Sequence, residues 1–402
     1  MAKKLLFVSI AFPPKNDPEC VQAGRYAYYL NKNFDWDITA VTSKIPTLFM
    51  PYDVSLERLS KDFKKIEIPI LESKLSNKIL SIVSPNLLNQ PDSKYSFYRQ
   101  WKKVIRQFNK PDIIYSRSFP LSSTLMALKL KEYYKVPWIM HLSDPWVESP
   151  LHNMTSPFHV NSERLSFEKA DLISFTTIDA LQLYEASYPD LKEKFFVSTN
   201  VFEQNARESN SSNKLSGNNL KIVYTGGLAN TRNAMVFLRA LEIASEKEPL
   251  VNKILKVVFA GDMDSNNRKN FESFNHLTNL QHLGILSQED SSKLQSSADL
   301  LLVIDSKIEE FKKNVFLPSK ILDYASQNKA ILAITEKGSP SDRFIRTYGG
   351  DSFSFDEEEL LADYLIELSN NSDVINQKKI IPNEFEVENQ VKILNKKLSS
   401  LL

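Results

Sequence analysis

The chain has 402 residues, of which 42% are hydrophobic and 25% are charged, and its formal net charge is +1. This length suits two domains of ordinary size, and the composition is that of a folded globular protein. The single cysteine, Cys20, excludes an intramolecular disulfide framework and a cysteine-cluster metal site, in agreement with a reducing compartment. No apolar run is long enough to span a bilayer, and the stretch from Met1 to Pro13 is too short for a secretory signal. We therefore expect a cytoplasmic protein without a nucleic acid partner.

Positive charge is concentrated in one segment of the first half. The first 200 residues hold 26 Lys and Arg against 21 Asp and Glu, a difference of +5 that leaves −4 for the remainder. The segment from Lys94 to Lys110 holds six cations and no acid, with Phe97, Trp101 and Phe108 at helical spacing. Such a helix can rest its apolar stripe on an anionic membrane, here the inner face of the plasma membrane. Alternatively, the stripe packs on the domain's own core, as in most amphipathic helices of globular proteins.

The first half alternates predicted strands and helices. An opening β-branched and aromatic run is followed by a Pro13-Pro14 turn and a helical stretch over about 22–30. Alternation of this kind favours parallel strands joined by crossover helices, and hence a doubly wound sheet. The strands are predicted at 5–10, 38–41, 112–116, 138–142, 172–175 and 195–198.

After a polar stretch at 203–219 that is typical of a linker, the same alternation starts again. A helix is expected over about 234–244, and the last stretch, 385–402, is again helical. The sequence thus predicts an α/β protein made of two Rossmann-like doubly wound lobes facing a cleft, which is a usual place for a ligand. The strands of the second lobe are predicted at 220–224, 255–259, 280–284, 300–304 and 330–334.

The region from Ala298 to Thr335 carries the strongest functional signal. It reads as a buried strand, a polar loop, a turn into a short helix and a second buried strand. Ligands of open α/β sheets lie beyond the carboxyl ends of the strands, where helix N-termini favour anions. Ser319 and Lys320 add a hydroxyl and a cation there, and Asp323, one turn later, suits the vicinal diol of a ribose. The alternative is a capped helix between core strands with its charges in solvent.

A second phosphate-binding candidate opens the second lobe. Gly226 and Gly227 directly follow a predicted strand, where glycines let backbone N–H groups approach an anion closely, and Arg232 stands at the start of the next helix. With Lys320 as a second cation, this group is suited to neutralise a departing diphosphate without a metal. A tight strand-to-helix turn with no ligand would give the same glycine pair.

Candidate metal ligands are few. Asp35 with Asp37 and Asp262 with Asp264 match the loose DxD pattern that can hold a divalent ion, but such short matches arise often by chance. We interpret them as solvated loop acids. No HxxxH or HExxH spacing occurs among the five histidines. Neither a metal nor another cofactor is therefore expected.

In the first lobe, His141 and Asp144 are predicted at the carboxyl end of a strand, where reacting groups lie in such sheets. A histidine there can hydrogen-bond a sugar hydroxyl or steady developing charge, and Asp144 can orient it or an acceptor. The alternative is a satisfied histidine at a strand edge, followed by an Asp-Pro turn.

The N-terminal turn gives one more candidate. Gly24 permits close backbone approach beside the cleft, and Arg25 is able to reach a phosphate or an acidic acceptor. A buried turn followed by a glycine near a helix start explains the same residues.

Together these residues resemble the glycosyltransferases of the GT-B fold, most closely the retaining GT4 group that builds bacterial surface polysaccharides. The resemblance covers almost the whole chain and keeps the motifs in order. By this resemblance the first lobe, 1–203, holds the acceptor, the second lobe, 204–384, binds a nucleotide-sugar, and a helix over 385–402 crosses back toward the first lobe. The matching stretches are FPP with the later glycine and arginine, PDIIYSR, HLSDPW, EKADLISFTT, YTGGLANTR and PSKILDYASQNKAIL.

The chain departs from the family pattern at four positions, and at two of these, Gly227 and Val315, the expected charge is lost. Arg232 falls where the family has a diphosphate-binding lysine, but Gly227 falls where an arginine is common. Asp323 falls where a glutamate binds ribose, whereas the partner glutamate eight positions earlier is replaced by Val315. His141 matches the histidine that the family places near the anomeric centre.

The resemblance implies a metal-independent glycosyltransferase that moves a sugar from a nucleotide diphosphate donor to a growing, lipid-linked glycan with retention of anomeric configuration. In this mechanism the leaving phosphate takes the acceptor's proton, and electrostatic stabilisation carries most of the catalysis. Two alternatives stay open: a sugar-nucleotide epimerase of the GT-B type, and a non-catalytic two-lobed sugar-binding protein. A dinucleotide dehydrogenase is disfavoured because no GxGxxG follows the first strand.

Overall fold

The structure is a computed structural model that describes residues 2–44, 50–204, 219–309, 311–371, 375 and 379–402, without the side chains of Lys74 and Leu87. Most of the predicted linker, 205–218, lies outside the described residues. The chain divides into two compact units. Unit 1 consists of Met1–Val201 and Glu384–Leu402, and unit 2 consists of Phe202–Asn383.

Unit 1 is built on a seven-stranded parallel sheet with the order β3-β2-β1-β4-β5-β6-β7. The chain moves outward from β1 to one edge and then restarts beside β1, so the sheet is doubly wound and its switch point lies between β1 and β4. The strands are β1 Lys3–Val8, β2 Trp36–Ser43, β3 Lys64–Ile68, β4 Ile113–Ser118, β5 Trp138–Leu142, β6 Leu172–Phe175 and β7 Phe195–Val197.

Seven helices connect these strands. The first, α1, begins after Asp17, whose carboxylate accepts a hydrogen bond from the Glu19 N–H, and Pro18 occupies the first helical position, where a missing N–H costs nothing. The helices are α1 Pro18–Phe34, α2 Lys74–Val83, α3 Pro85–Asn89, α4 Trp101–Gln107, α5 Ser122–Tyr134, α6 Pro157–Lys169 and α7 Ile178–Ser187, with 3₁₀ turns at Val54–Leu59, Tyr98–Gln100 and Pro189–Lys194.

Unit 2 repeats the architecture with a six-stranded parallel sheet in the order β10-β9-β8-β11-β12-β13. The strands are β8 Leu220–Thr225, β9 Leu255–Ala260, β10 Leu280–His282, β11 Leu300–Ile304, β12 Ala330–Ile334 and β13 Asp351–Phe353. The helices are α8 Met235–Lys247, α9 Leu250–Ile254, α10 Ser265–Glu272, α11 Gln288–Ser296, α12 Ser319–Ser326, α13 Pro340–Tyr348 and α14 Glu358–Asn370.

The C-terminal helix, α15 (Val387–Ser399), belongs to unit 1, after a 3₁₀ turn at Asn383–Phe385. Its apolar side enters the core that also holds β1 and α1. The Trp36 indole N–H donates to the Asn395 side-chain oxygen at 2.8 Å. Unit 1 is therefore completed by a segment that lies almost two hundred residues away in sequence. The core residues that α15 contributes are Val387, Val391, Leu394 and Leu398.

The predicted fold class is confirmed: both sheets are parallel, and helices alternate with strands throughout. Two strands, β3 and β13, were not predicted from the sequence. β3 is short and rich in charge, and β13 has three residues that are only partly buried, so neither shows an apolar run. Both lie at a sheet edge, where one side of the strand is unpaired and the apolar requirement is weakest.

The predicted helix from Lys94 to Lys110 is shorter in the structure, where α4 has seven residues and follows a 3₁₀ turn. Its apolar side packs on unit 1, since Phe97 and Val104 are fully buried and the Trp101 ring contacts Tyr133. The basic side chains of α4 remain exposed. Across the described ranges, we find no helix long and apolar enough to cross a membrane.

Candidate active site

The carboxyl ends of β8 and β9 in unit 2 form two stacked glycine turns. Gly226 follows β8 with a φ of 134°, and Gly261 follows β9 with a φ of 136°. The Gly226 N–H donates to the Ala260 carbonyl at 2.8 Å, and a Cβ at Gly261 would lie 2.1 Å from the Gly226 carbonyl oxygen. Both turns therefore need glycine, for the backbone conformation and for the close approach of the two chains.

Lys320 reaches the same turn from the first turn of α12. Its Nζ donates to the Tyr224 hydroxyl at 3.1 Å and lies 4.4 Å from the centroid of that ring. A Cβ at Gly226 would lie 2.4 Å from this Nζ, so the absence of a side chain there provides the space for the ammonium group. The Tyr224 hydroxyl in turn donates to the Gly227 carbonyl at 3.0 Å.

The pKa of Lys320 lies well below its usual value. Burial is the largest cause, the positive charge of Arg232 adds to it, and the carboxylate of Asp305 opposes both. Lys320 as a whole is only partly buried, but its ammonium is enclosed by the Tyr224 ring and the glycine turn. Because an anion beside the ammonium would stabilise its charged form, this site favours an anionic ligand.

Arg232 lies in the loop between β8 and α8 and is also partly buried. Its Nε is buried and has no hydrogen-bond partner among the described residues. The loop is fixed from two sides, since the Arg232 N–H donates to the Ala229 carbonyl at 3.1 Å and the Lys307 N–H donates to the Thr231 carbonyl at 3.2 Å. Within the described part of unit 2, neither Arg232 nor Lys320 forms an ion pair with a carboxylate, so two cations share a site without a direct counter-ion.

Asp305, which our sequence analysis missed, is the nearest source of negative charge. It directly follows β11, is 2% exposed, and its Oδ2 accepts from the Thr335 hydroxyl at 2.7 Å. Burial raises the pKa of this carboxyl above its usual value, and hydrogen bonds from Thr335 and Ser341 oppose that rise. Its position directly after an apolar strand, at the carboxyl end where ligands of such sheets bind, is the signal that could have revealed it.

The other predicted residues of unit 2 lie on the same elements. Ser319 is the first residue of α12, and Asp323 lies one turn further along, partly buried. Gly227 is exposed, and a Cβ there would meet only the Asp262 carbonyl, at 3.8 Å. The structure therefore brings Gly226 and Lys320 into direct contact, whereas Ser319 and Asp323 are placed near them by sequence on α12.

The structure gives the aspartates of the two DxD matches different local positions. Asp264 caps α10 and accepts from the N–H groups of Asn267 at 2.8 Å and Asn230 at 2.9 Å, whereas Asp262 is exposed. Asp35 ends α1 in a left-handed conformation, and Asp37 lies within β2. No group of three or more His, Cys, Asp or Glu suited to a metal occurs in the described portion of the chain. Asp264 is thus a partly exposed acid that also caps α10.

In unit 1, His141 is the fourth of the five residues of β5 and is fully buried. Its Nδ1 is hydrogen-bonded to the Ser174 hydroxyl at 2.9 Å, while its Nε2 is buried with no hydrogen-bond partner among the described residues. Burial and the positive charge of Arg117 lower the pKa of this imidazole well below its usual value, so the ring is neutral. Nδ1 is thus hydrogen-bonded as in an ordinary core histidine, whereas Nε2 has no partner among the described residues.

A buried ion pair lies beside His141. Arg117, on the neighbouring strand β4, is fully buried, and its Nε donates to Glu19 Oε1 at 2.7 Å. The second Glu19 oxygen accepts from the Ser143 hydroxyl at 2.7 Å, and the Arg117 guanidinium packs over the Tyr26 ring at 4.9 Å. The two charges and the loop after β5 are therefore joined in one network, which the sequence analysis did not identify.

Asp144 lies in this loop and is partly buried. The loop is held a few residues later by Glu163, whose carboxylate accepts from the Val147 N–H at 2.9 Å and from the Tyr184 and Tyr188 hydroxyls, each at 2.8 Å. Burial raises the pKa of Glu163 to about 7. The segment that carries Asp144 is thus fixed at both of its ends.

Gly24 and Arg25 take up packing roles in the structure. Both are buried, and a Cβ at Gly24 would lie 2.5 Å from Cγ of Pro13, so the close approach is made by the proline turn. The Arg25 guanidinium donates to the Val201 carbonyl at 2.7 Å, beside Gln22, which exchanges two hydrogen bonds with the same residue. These contacts match the structural alternative for the N-terminal turn, and a role in acceptor binding stays a prediction.

Comparison with known proteins gives a fold but no family. No family model matches the chain, and no curated protein matches its sequence. Solved structures do match it over their full length. HepE from Anabaena, in complex with UDP and glucose, is 15% identical, with 99% of this chain and 100% of that chain covered and a TM-score of 0.68. The fold is GT-B.

Two further structures of this fold are informative. A trehalose-6-phosphate synthase, studied for glycosyl transfer with retention, is 12% identical over 99% of both chains, with a TM-score of 0.66. A putative UDP-N-acetylglucosamine 2-epimerase from Listeria monocytogenes is 12% identical over 100% of this chain and 96% of that chain, with a TM-score of 0.60. Since identities this low show the fold alone, the activity has to be argued from the site.

Proposed function

We propose that the protein is a glycosyltransferase that moves a sugar from a nucleotide diphosphate donor to a growing, lipid-linked glycan with retention of configuration. The observation that carries this proposal is the cation site of unit 2, where Lys320 and Arg232 lie at a glycine turn without a carboxylate partner. In a doubly wound sheet this edge is where a nucleotide's phosphates bind. HepE, a protein of this fold, was solved with UDP and glucose bound.

In the proposed chemistry the two cations stabilise the charge that develops on the diphosphate as the bond to the sugar breaks. Preorganised charges of this kind need no reorganisation during the reaction, which is the source of their catalytic effect. Gly227 contributes a backbone N–H group, Gly226 leaves the space for the Lys320 ammonium, Ser319 contributes a hydroxyl, and Asp323 accepts from the ribose hydroxyls. The departing phosphate takes the acceptor's proton, so no metal and no separate general base are required.

Unit 1 is assigned the acceptor. His141, neutral and with one unused nitrogen, would hydrogen-bond a sugar hydroxyl, Asp144 would orient the acceptor, and Gly24 and Arg25 would lie on the acceptor side. A lipid-linked acceptor requires the enzyme at a membrane surface, and the exposed cations between Lys94 and Lys110 supply attraction to anionic headgroups. We accordingly propose a peripheral enzyme at the cytoplasmic face of the membrane.

The donor assignment is tested by binding. Arg232→Ala should weaken the thermal stabilisation by nucleotide diphosphates and lower turnover about 100-fold, because the phosphate charge loses one of its two partners. The matched control is Arg239→Ala, since Arg239 is exposed on α8 and pairs with Glu358. Full activity of the Arg232 variant, or equal losses in both variants, would refute the donor site.

The epimerase remains a second candidate because the Listeria epimerase shares the fold. An epimerase converts a nucleotide-sugar without any acceptor, whereas a transferase leaves the sugar's ring configuration away from the anomeric carbon unchanged. Incubation of the protein with each accepted nucleotide-sugar in the absence of acceptor, followed by product analysis, separates the two. An epimerised nucleotide-sugar as the product would replace our proposal.

A further inference from the structure

The helix α2 exposes an apolar face that no other part of unit 1 covers in the described structure. Leu75, Ile79, Ile82 and Val83 are 68%, 51%, 76% and 75% exposed, and Leu71, just before the helix, is 69% exposed. The spacing of the four helical residues places them on one side of α2, in a single stripe. Isolated surface leucines are ordinary, but a contiguous apolar stripe on a protein surface marks an interaction site.

The helix is nevertheless well formed at its start. Ser73 and Ser76 make a capping box, in which each serine hydroxyl accepts from the backbone N–H of the other residue, at 2.9 and 3.0 Å. The first turn therefore satisfies its own donors without help from a packed neighbour. The sequence thus specifies a helix here while leaving its apolar face uncovered.

Three contacts join the residues just before α2 to the segment from Lys94 to Lys110, here called the basic segment. The Leu71 N–H donates to the Ser96 hydroxyl at 2.8 Å, the Gln100 side chain donates to the Pro69 carbonyl at 2.6 Å, and Lys94 pairs with Glu72 at 2.9 Å. The exposed cations of the basic segment follow directly along the chain. They are Arg99, Lys102, Lys103, Arg106 and Lys110.

The net charge of residues 73–110 indicates which kind of partner covers the apolar stripe of α2. Residues 73–110 contain eight Lys and Arg and a single acid, Asp92, whose carboxylate accepts from the backbone and hydroxyl of Ser122. A second copy of the chain is disfavoured, because a twofold interface brings the same surface together and would place like charges close to each other. An anionic bilayer offers both an apolar interior for the stripe and negative headgroups for the cations.

We propose that α2 is a membrane-docking helix, which inserts its exposed apolar face into an anionic lipid surface while the cations of the basic segment meet the headgroups. This assigns the apolar contact to α2 and not to the stripe around α4, whose Phe97 and Val104 are buried in unit 1. The proposal rests on the membrane location proposed above for the enzyme, but it is tested independently of the donor site in unit 2, because vesicle binding requires no sugar transfer.

Sedimentation with vesicles tests the proposal. The full chain should bind vesicles of phosphatidylcholine with 30% phosphatidylglycerol, and Ile79→Ser/Ile82→Ser should weaken this binding more than tenfold, because two apolar side chains leave the lipid while the charge is unchanged. Leu360→Ser/Ile393→Ser, which removes two exposed apolar side chains from α14 and α15, should bind like the unmodified chain.

A second pair of measurements separates the charge from the apolar face. Lys102→Ala/Lys103→Ala should weaken binding to the anionic vesicles and reduce its salt dependence. Turnover of a soluble acceptor should be unchanged in the Ile79/Ile82 variant, so a failure of membrane docking is distinguishable from a failure of the proposed transfer.

Three results would overturn the proposal. One is no binding of the full chain to anionic vesicles, and another is equal binding by the Ile79/Ile82 variant. The third is a dimer that the same variant converts to monomers in light scattering, because the stripe would then be an interface between copies of the chain.

Discussion

The two units carry polar clusters near the carboxyl ends of their strands. Only in unit 1 do the described residues pair the buried cation of the cluster with a carboxylate. In unit 1 the buried Arg117 is neutralised by Glu19 and packed on Tyr26. In unit 2 the ammonium of Lys320 has a hydroxyl and an aromatic face as partners, but no carboxylate among the residues that the structure describes. The difference teaches that burial of a cation does not by itself indicate a ligand site; what matters is whether the protein supplies the opposite charge.

The largest expected effect concerns the stability of unit 1. Arg117→Met should lower the free energy of unfolding by about 3 kcal/mol or more, because the buried Glu19 carboxylate is left without its counter-charge. Urea unfolding measures this loss of free energy. Arg164→Met is the control, since Arg164 pairs with Glu168 and Asp190 at the surface, where such pairs contribute less than about 1 kcal/mol. Equal losses in both variants would show that the buried pair is not special.

Removal of the cation at the unit 2 site should lower activity and leave the free energy of unfolding nearly unchanged. Lys320→Ala should lower kcat/KM for the donor about 100-fold or more, while the unfolding midpoint stays the same or rises, since a buried cation without a carboxylate partner is removed. Lys247→Ala, at the end of α8 where Lys247 pairs with Glu359, is the matched control. A strong loss of stability without a loss of donor affinity would reverse the comparison between the units.

Gly226→Ala tests the Lys320 site of unit 2 without removing its charge, because the new methyl group would lie 2.4 Å from Nζ of Lys320. We expect donor affinity to fall about tenfold as the ammonium is displaced, together with a stability loss of about 1–2 kcal/mol for a side chain at positive φ. Gly338→Ala is the control, since Gly338 has a φ of 76° but nothing within 4 Å of an added Cβ. This control should lose stability alone, as calorimetry and donor titration will show.

The smallest effect is the pH dependence that Glu163 gives to unit 1. Burial raises its folded-state pKa to about 7, well above the usual value of a glutamate, so the folded protein binds this proton more tightly than the unfolded chain does. The contribution of Glu163 to stability therefore falls as pH rises through 7. Relative to Glu163→Gln, the unmodified chain should lose about 1 kcal/mol between pH 6 and pH 8. A pH-independent difference between the two proteins would contradict the raised pKa.

The sequence predicted the interior strands well, and for a physical reason. A strand covered by helices on both faces must be apolar along its whole length, so β11 (Leu300–Ile304) and β12 (Ala330–Ile334) were located to the residue. The edge strands β3 and β13 lack this constraint and were missed. Gly226 and Lys320 were predicted from the chemistry of a glycine pair after a strand and a cation at a helix start, and the structure brings them into contact, while their role in donor binding stays a prediction.

Other features depended on contacts between distant residues. Asp305 could be read as a loop acid, and only its burial beside Thr335 joins it to the cations. The partner of Arg117 lies 98 positions earlier in the sequence. The role of Gly24 depended on Pro13, which fills the space that a ligand was expected to approach. For Asp305 and Arg117 the partner is set by the crossover connections, whereas Gly24 meets Pro13 within the single connection that follows β1.

By itself, the sequence determined the alternation of strands and helices, the parallel sheets and the residue types at the carboxyl ends of the strands, because periodicity and composition act locally. Only the tertiary structure decided which of the polar residues neutralise each other, which face of α2 and α4 is covered, and which cations are left without a carboxylate. These outcomes depend on burial and charge pairing between segments far apart in the chain, and no short stretch of sequence contains both partners.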